Sequence, residues 1–476
     1  MATNRSFGAT PTMTPLRMTS CPQAVQSRTM DAISQRAAED YHRLLKDDKG
    51  LVQELEERFF ERMREAKLTF GGRVLCPFPR PNFVAPADYE QIRGVCRAIF
   101  GAVETAESKL GTELWDRVDV TPEERELVAI DPGYKRSSPT ARLDSFLTTS
   151  LYQFVELNAE TPAGIAYNEV LVEIFLELPV MKRFQERYTL GRFRARERLL
   201  ETLTSCYREA GGQEADPTIA IVDYEEVPTR TEHHLFREFF ETQGFPSIVC
   251  DPRHLTFERG HLRHEGRIID IVYKRLLVNE FLEKKGELQA LLQAAKERAI
   301  TLVNPFRCKP IHKKAIFAVL TDDELQGLFS EEQRKAIAAH VPWTRRVSEG
   351  PATHRGASVD LPEFIRRHRD RLVMKPNDEY GGKGVFIGWE MSETEWDDAL
   401  ATALQSSYVV QEKVELMRQS FPELAPDLRF RDLVVDLDPF VFQGEVEGFL
   451  TRLSGSSLAN VTSGGGQVPA FLVEPR

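Results

Sequence analysis

At 476 residues, with 41% hydrophobic and 28% charged residues, the chain has a globular balance and is too long for one ordinary core, so two or three packed units are expected. A net charge of -11 excludes a general nucleic-acid binder, since phosphate contacts need an excess of Lys and Arg, but leaves room for a nucleotide held by a few local cations and a metal. No apolar run approaches the roughly 20 residues that cross a bilayer, and six scattered cysteines without a CxxC pair suggest neither zinc nor a disulfide framework, but reduced thiols in a cytoplasmic protein.

Residues 1–30 contain no Asp or Glu and are rich in Thr, Ser, Met and Pro. They read as a disordered tail, although a transit peptide has a similar composition. Residues 31–135 form a helical region. Leu44, Leu45, Leu51, Leu55, Phe59 and Phe60 recur at helical spacing, the three prolines between Cys76 and Phe83 make a loop, and Tyr89 to Leu114 is again helical.

Residues 136–180 differ in kind. Ala141 to Ala159 reads as two strands around a Thr148-Thr149-Ser150 turn, followed by Thr161-Pro162-Ala163-Gly164 and a helix near Tyr167. A hairpin centred on Ser150 pairs Asp144 with Glu156 and Arg142 with Asn158. Because strand positions two apart share a face, all four polar side chains then meet on one side of the sheet. Two carboxylates and an amide oxygen suit a hard cation, and a nearby arginine suits phosphate. A salt-bridged, solvated sheet face fits the same pattern.

Residues 181–300 begin with helices to about Glu209, end them at Gly211-Gly212 and Pro217, and continue as Thr218 to Val222, Arg230 to Gln243, Ser247 to Cys250 and Ile268 to Val272. Strands alternating with a helix predict an open α/β unit with a parallel sheet. His233-His234 reads as solvated at a helix start. Asp251, His254, His261 and His264 read as a surface hairpin and not a metal site.

In residues 301–476 three apolar strands are expected at Leu372 to Lys375, Tyr408 to Gln411 and Leu433 to Leu437. The first delivers Lys375 into Asn377-Asp378-Glu379-Tyr380-Gly381-Gly382-Lys383-Gly384. There Gly381, Gly382 and Gly384 would let backbone N–H groups approach phosphates, although an ordinary glycine turn looks the same. The second ends in Gln411-Glu412, where a strand edge could meet an adenine. Asp436, Asp438, Thr451-Arg452 and the glycines of Asn460 to Gly466 form the last polar cluster.

Taken together these segments resemble the permuted ATP-grasp ligases related to glutathionylspermidine synthase. The resemblance rests on R-x-D, here Arg142-Leu143-Asp144, followed at a twelve-residue offset by Glu156-Leu157-Asn158-Ala159-Glu160-Thr161-Pro162. Asn304-Pro305 with Lys313-Lys314-Ala315 is similar to a first nucleotide-binding lysine segment, and Lys375-Pro376 with its glycines to a second. Ile269 to Arg275 is similar to a pre-grasp segment. The likeness spans Ala141 to Val473.

The resemblance implies an α/β (α+β) permuted ATP-grasp fold with a Rossmann-like pre-grasp unit and an N-terminal helical region. It implies ATP and Mg2+ as cofactors, with Asp144, Glu156 and Asn158 on the metal. Arg142 and Arg452 would contact the transferred phosphoryl group. Lys314 and Lys375, with Gly381, Gly382 and Gly384, would hold the phosphates, leaving Lys313 as the alternative to Lys314; Gln411 and Glu412 would border the base. The implied activity joins a small-molecule or peptide carboxylate to an amine through an acyl phosphate, with Glu160 and Asp378 as candidates to grip the amine. The stretch before Arg142 is too short and too helical for the amidase domain of the bifunctional relative, and neither glutathione nor spermidine carries over as substrate. An ATP-binding regulator without turnover and a phosphotransferase are the alternatives.

Overall fold

The computed structural model describes residues 32–70, 73–147, 152–424, 428–456 and 465–476. The tail at 1–30, the turn at Thr148-Thr149-Ser150 and the start of the last glycine cluster lie outside the described residues.

Two helices, Ala32–Asp47 and Lys49–Glu65, open the chain. The Asp48 side chain accepts from the Gly50 and Leu51 N–H groups and so starts the second helix. Its buried stripe is Leu51, Leu55, Phe59 and Met63, four residues apart, and Phe59 meets Phe175 edge-on at 5.4 Å. The long helix Pro86–Leu110 follows, started by its proline and buried along Ile92, Cys96, Ile99 and Val103.

The central sheet is six-stranded. Its order is Gly466–Val468, Glu445–Ser454, Leu428–Phe442, Thr140–Leu147 and Tyr152–Asn158, with Arg418–Leu424 also paired to Leu428–Phe442. The hairpin near residue 150 is thus completed by strands from the far end of the chain: Phe440 lies opposite Arg142, and Asp436 opposite Phe146. Arg142 pairs with Asn158 and Asp144 with Glu156, as the hairpin register predicts. The register then shifts, so that Ser145 faces Phe154 and Val155 is the extra residue of a bulge.

A second, parallel sheet has the order Thr301–Val303, Ile271–Lys274, Ile219–Val222, Ser247–Cys250. Its four strands are apolar because both faces are covered. The expected strand Ile268 to Val272 is in fact two. Arg267–Ile269 belongs to a small antiparallel sheet and Ile271–Lys274 to the parallel one. The break falls at Asp270, whose carboxylate accepts the Thr218 N–H at 2.8 Å.

A third sheet, Thr344–Arg346, Tyr408–Glu412, Leu372–Pro376 and Phe386–Ile387, carries the glycine-rich segment on its edge. Helices Leu361–Arg367 and Glu393–Leu404 contribute Ile365, Trp396 and Leu400 to its core. The last strand, Ala470–Pro475, pairs with Asn82–Val84 and Tyr188–Gly191, which ties the C-terminal segment to the N-terminal helices. The architecture is mixed α/β. No helix among the described residues is long and apolar enough to cross a membrane.

One helix corrects the sequence reading. His233, expected in solvent, is fully buried. It shares the inner face of helix Arg230–Thr242 with Phe236 and Phe240, at helical spacing.

Candidate functional site

A cavity of about 520 Å³ opens where the three sheets meet. Arg142, Asp144, Glu156, Asn158 and Arg452 line it from the central sheet. Lys375, Gln411 and Glu412 line it from the third sheet, and Lys314, Gly381 and Gly382 from adjoining segments. Of the glycines singled out in the sequence, Gly381 and Gly382 line the wall and Gly384 does not. A Cβ there would stand 2.9 Å from Pro376 Cγ and 3.0 Å from the Tyr408 hydroxyl.

Asp144 is the hub of the central-sheet group. Arg142 donates to both its oxygens, from Nε at 2.9 Å and Nη2 at 3.3 Å. Asn158 Nδ2 donates at 2.7 Å and Arg452 Nη2 at 2.7 Å. Arg452 also faces Asp436 at 2.5 Å and Asp438 at 3.0 Å. Burial alone would push the Asp144 carboxyl up, but the Arg142 and Arg452 guanidinium groups overcome it and hold Asp144 well below the usual carboxylate range. Asp436 and Asp438, deeper in the sheet, are pushed up by burial. Asp436 and Asp438 stood out in the sequence, but the strand pairing that places them beside Asp144 was not visible there.

Lys375 donates to Gln411 Oε1 at 2.8 Å, and Gln411 in turn donates to Thr344. Burial pushes the Lys375 ammonium down to about 8. Lys314 lies 3.4 Å from Glu156 and donates to the Glu379 carbonyl at 2.6 Å. Its neighbour Lys313 turns away to Glu124 at 3.0 Å and Asp378 at 3.3 Å. Only Lys314 of the two lines the cavity. The Glu412 carboxylate is taken by His354 at 2.9 Å and Arg355 at 3.3 Å, so what it offers the cavity is backbone and stem.

Glu160 and Asp378 do not fit the amine-gripping role considered for them. Neither lines the cavity. Both are bound by Lys309, whose ammonium lies 3.0 Å from Glu160 and 2.6 Å from Asp378. Glu160, His312 and Asp378 sit close enough to suggest a metal cluster, yet the Lys309 cation already occupies their common space, which disfavours an ion there. Lys309 was missed in the sequence; its position four residues before Lys313, on the same short helical turn, is the signal that could have found it.

The cavity has two ends. Trp389, Lys413, Val414 and Leu416 border it beyond Gln411, with the Lys413 ammonium 4.1 Å from the centre of the Trp389 ring. At the other end lie Tyr167, Asp223, Thr229, Arg275, Glu280 and Tyr380. The turn Thr161-Pro162-Ala163-Gly164 separates them. Arg142 donates to the Ala163 carbonyl at 3.0 Å and Arg275 to the Pro162 carbonyl at 2.8 Å.

No family model and no curated protein matches the chain. Among solved structures, a glutathione synthetase-like effector from Globodera pallida, in its apo form, aligns over 94% of this chain and 100% of its own at 13% identity, with a TM-score of 0.54. A putative gamma-glutamylcysteine synthetase from Methylobacillus flagellatus KT aligns over 75% of this chain and 87% of its own at 12% identity and a TM-score of 0.39. A D-cycloserine synthetase aligns over 41% and 59% at 19% identity and 0.25. The latter two likenesses are too weak to carry an argument. The first is a likeness of fold over nearly the whole length of both chains: this protein is built like that synthetase-like effector.

Proposed function

We propose that the protein is an ATP- and Mg2+-dependent ligase of the ATP-grasp type, in the permuted arrangement of the glutathionylspermidine synthase relatives, that joins a carboxylate to an amine through an acyl phosphate. The observation that carries this reading is the convergence on one cavity of oxygen ligands on neighbouring strands (Asp144, Glu156, Asn158), two arginines beside them and two lysines facing them.

The donor set fits magnesium. Its atoms are carboxylate and amide oxygens, and Asp436 and Asp438 behind Asp144 share the Arg452 guanidinium with it. Held by Asp144, Glu156 and Asn158, the ion would neutralise the phosphate oxygens between which the bond breaks. Lys314 and Lys375 would take the α- and β-phosphates from the opposite wall, with the Gly381 and Gly382 backbone closing over them. Arg142 and Arg452 already border Asp144 and would meet the transferred phosphoryl group. The acceptor carboxylate gains that group and becomes activated; an amine nitrogen then displaces phosphate to give the amide. Gln411 and Glu412 end the strand that the adenine edge would meet.

The test is ADP release with magnesium and ATP against pools of amino acids, small peptides, thiol peptides and polyamines, together with Asp144→Ala and Glu156→Ala. One pool is expected to stimulate release, and both substitutions to abolish it. Magnesium-dependent ATP binding with no stimulation in any pool would point instead to a nucleotide-binding regulator. Absence of ATP binding would sink the reading.

A further inference from the structure

The parallel sheet has a point at which its connections part. Strand Ile219–Val222 leads outward to Ser247–Cys250, and the chain then returns past it to Ile271–Lys274 and on to Thr301–Val303 on the other side. The crevice beyond the carboxyl ends of two such strands is where open α/β sheets take ligands. The residue after each strand is Asp223 in one case and Arg275 in the other, and both line the cavity.

Their charges are not in the same position. Arg275 is committed. Its Nη1 donates to the Pro162 carbonyl at 2.8 Å and the Tyr273 hydroxyl at 2.9 Å, and its Nη2 faces Glu232 at 3.5 Å. Asp223, 4% exposed, is not. One carboxylate oxygen accepts the Tyr224 N–H at 2.9 Å; the other looks at His233 Nε2 at 3.5 Å. His233 is fully buried, and burial holds its imidazole in the neutral form. Among the described residues no lysine or arginine stands within ion-pair distance of Asp223, and no cluster of three metal-ligating groups includes it.

Burial pushes the Asp223 carboxyl up to about 7, with Arg275 opposing. Glu280, Tyr380 and Tyr167 line the same end. The Tyr380 hydroxyl is pushed up by burial and then by Glu280, Glu379 and Asp223, which places these acids around it. The cavity thus has basic side chains at Arg142, Arg452, Lys314 and Lys375 and acidic side chains at Asp223 and Glu280. A buried carboxylate without a counter-ion is costly, and a ligand that supplies one is favoured there. Acidic and tyrosine side chains on one wall, with no cluster of three metal-ligating groups among the described residues there, suit an alkylammonium group and not a metal that needs several oxygens.

We propose that this crevice is an ammonium subsite, with Asp223 receiving the cationic head of the ligand; resting on the ligase reading, it is where the amine substrate docks. The amine would then enter from the side opposite the phosphate-binding lysines, and the Pro162-Ala163 turn, held by Arg275 and Arg142, would fix the distance between the two ends.

The probes are n-butylammonium, n-butanol and butyrate, titrated calorimetrically into the full chain and into Asp223→Asn, with magnesium-ATP titrated into the same samples. Asn keeps the size of the side chain and the acceptor for Tyr224. The wild type is expected to prefer butylammonium to both others. Asp223→Asn is expected to lose about tenfold or more of the butylammonium affinity while keeping its butanol and magnesium-ATP affinities. A structural collapse would lower all three together, and that result overturns the proposal, as does equal butylammonium binding by both proteins or a preference for butyrate. Butylammonium binding that needs Asp223 in a protein that binds no magnesium-ATP would support the subsite while refuting the ligase reading on which its assignment to a substrate rests.

Discussion

Glu160 and Asp378 are joined by one cation: Lys309 Nζ lies 3.0 Å from Glu160 Oε1 and 2.6 Å from Asp378 Oδ1. Glu160 follows the hairpin that bears Asp144, and Asp378 opens the glycine-rich segment after Lys375. Two walls of the cavity are thus pinned by a buried ammonium, with Lys313 as a second tie between Asp378 and Glu124. The burial of Glu160 would push its carboxyl up, but Lys309 and then His312 outweigh it, and the group is held below its ordinary value.

Removing that cation should be expensive. Lys309→Met leaves buried Glu160 with the more distant Lys274, at 3.8 Å, as its remaining lysine partner, so the cost should approach the about 3–5 kcal/mol of breaking a buried pair. Asp378→Asn should cost less, because its side chain is 22% exposed and Glu160 keeps its partner. Both carboxyls lie below their ordinary values, so they stabilise the fold above pH 4.5 and lose that contribution as the pH falls. Urea midpoints at pH 7 and pH 4 check this. An unchanged midpoint for Lys309→Met at pH 7 would remove the network from any role in stability.

Lys375 presents the opposite case, a cation held at some cost for use. Burial lowers its affinity for the proton, leaving it near 8, with Glu156 opposing. Met has similar length and no charge, so Lys375→Met should unfold no earlier in urea than the wild type while its ATP affinity falls about tenfold or more. Loss of stability with ATP binding intact would mean that the lysine serves the sheet and not the nucleotide.

Gly381 and Gly384 of the loop should respond differently. Gly381 and Gly384 both have positive φ, 68° and 70°, which costs a side chain about 1–2 kcal/mol. At Gly381 a Cβ meets open space, whereas at Gly384 it meets Pro376 and Tyr408. Gly384→Ala should therefore be the more destabilising of the two in urea, and it should affect ATP binding only by displacing the loop. Equal midpoints would refute the packing account.

How much of this could be read from the chain depends on the range of the signal. The pairs Arg142–Asn158 and Asp144–Glu156 follow from period-two alternation about a short turn, so they were legible. The bulge at Val155 was not, since nothing local marks the extra residue. The neighbourhood of Arg452 with Asp144 requires two strands about 300 positions apart to pair, which no local pattern specifies. His233 was legible in principle, because Phe236 and Phe240 share its helical face; treating it as part of a polar His-His pair obscured that spacing. Asp223 gave no motif, and Arg275 stood out only as the end of the segment Ile269 to Arg275. Their meaning comes from the strand order, which appears only once the sheet is assembled.

Glu169 offers a test of the fold that is independent of any ligand. It is 3% exposed, and its Oε1 accepts the Ala195 N–H at 3.0 Å, an interaction a neutral carboxyl or an amide can also make. Burial pushes the Glu169 carboxyl up from 4.5 to about 7, with Arg196 opposing. The folded protein then holds this proton more tightly than the unfolded chain. Its contribution is fully present below pH 4.5, declines as the pH rises, and is gone above pH 7, a loss of about 3 kcal/mol at most. Glu169→Gln cannot ionise and should escape that loss. Between pH 5 and pH 8 the wild-type unfolding free energy should therefore fall relative to that of Glu169→Gln, with the variant the more stable of the two at pH 8. Parallel pH profiles for the two proteins would show that Glu169 is ionised in the fold at neutral pH and that Arg196, not burial, sets its state.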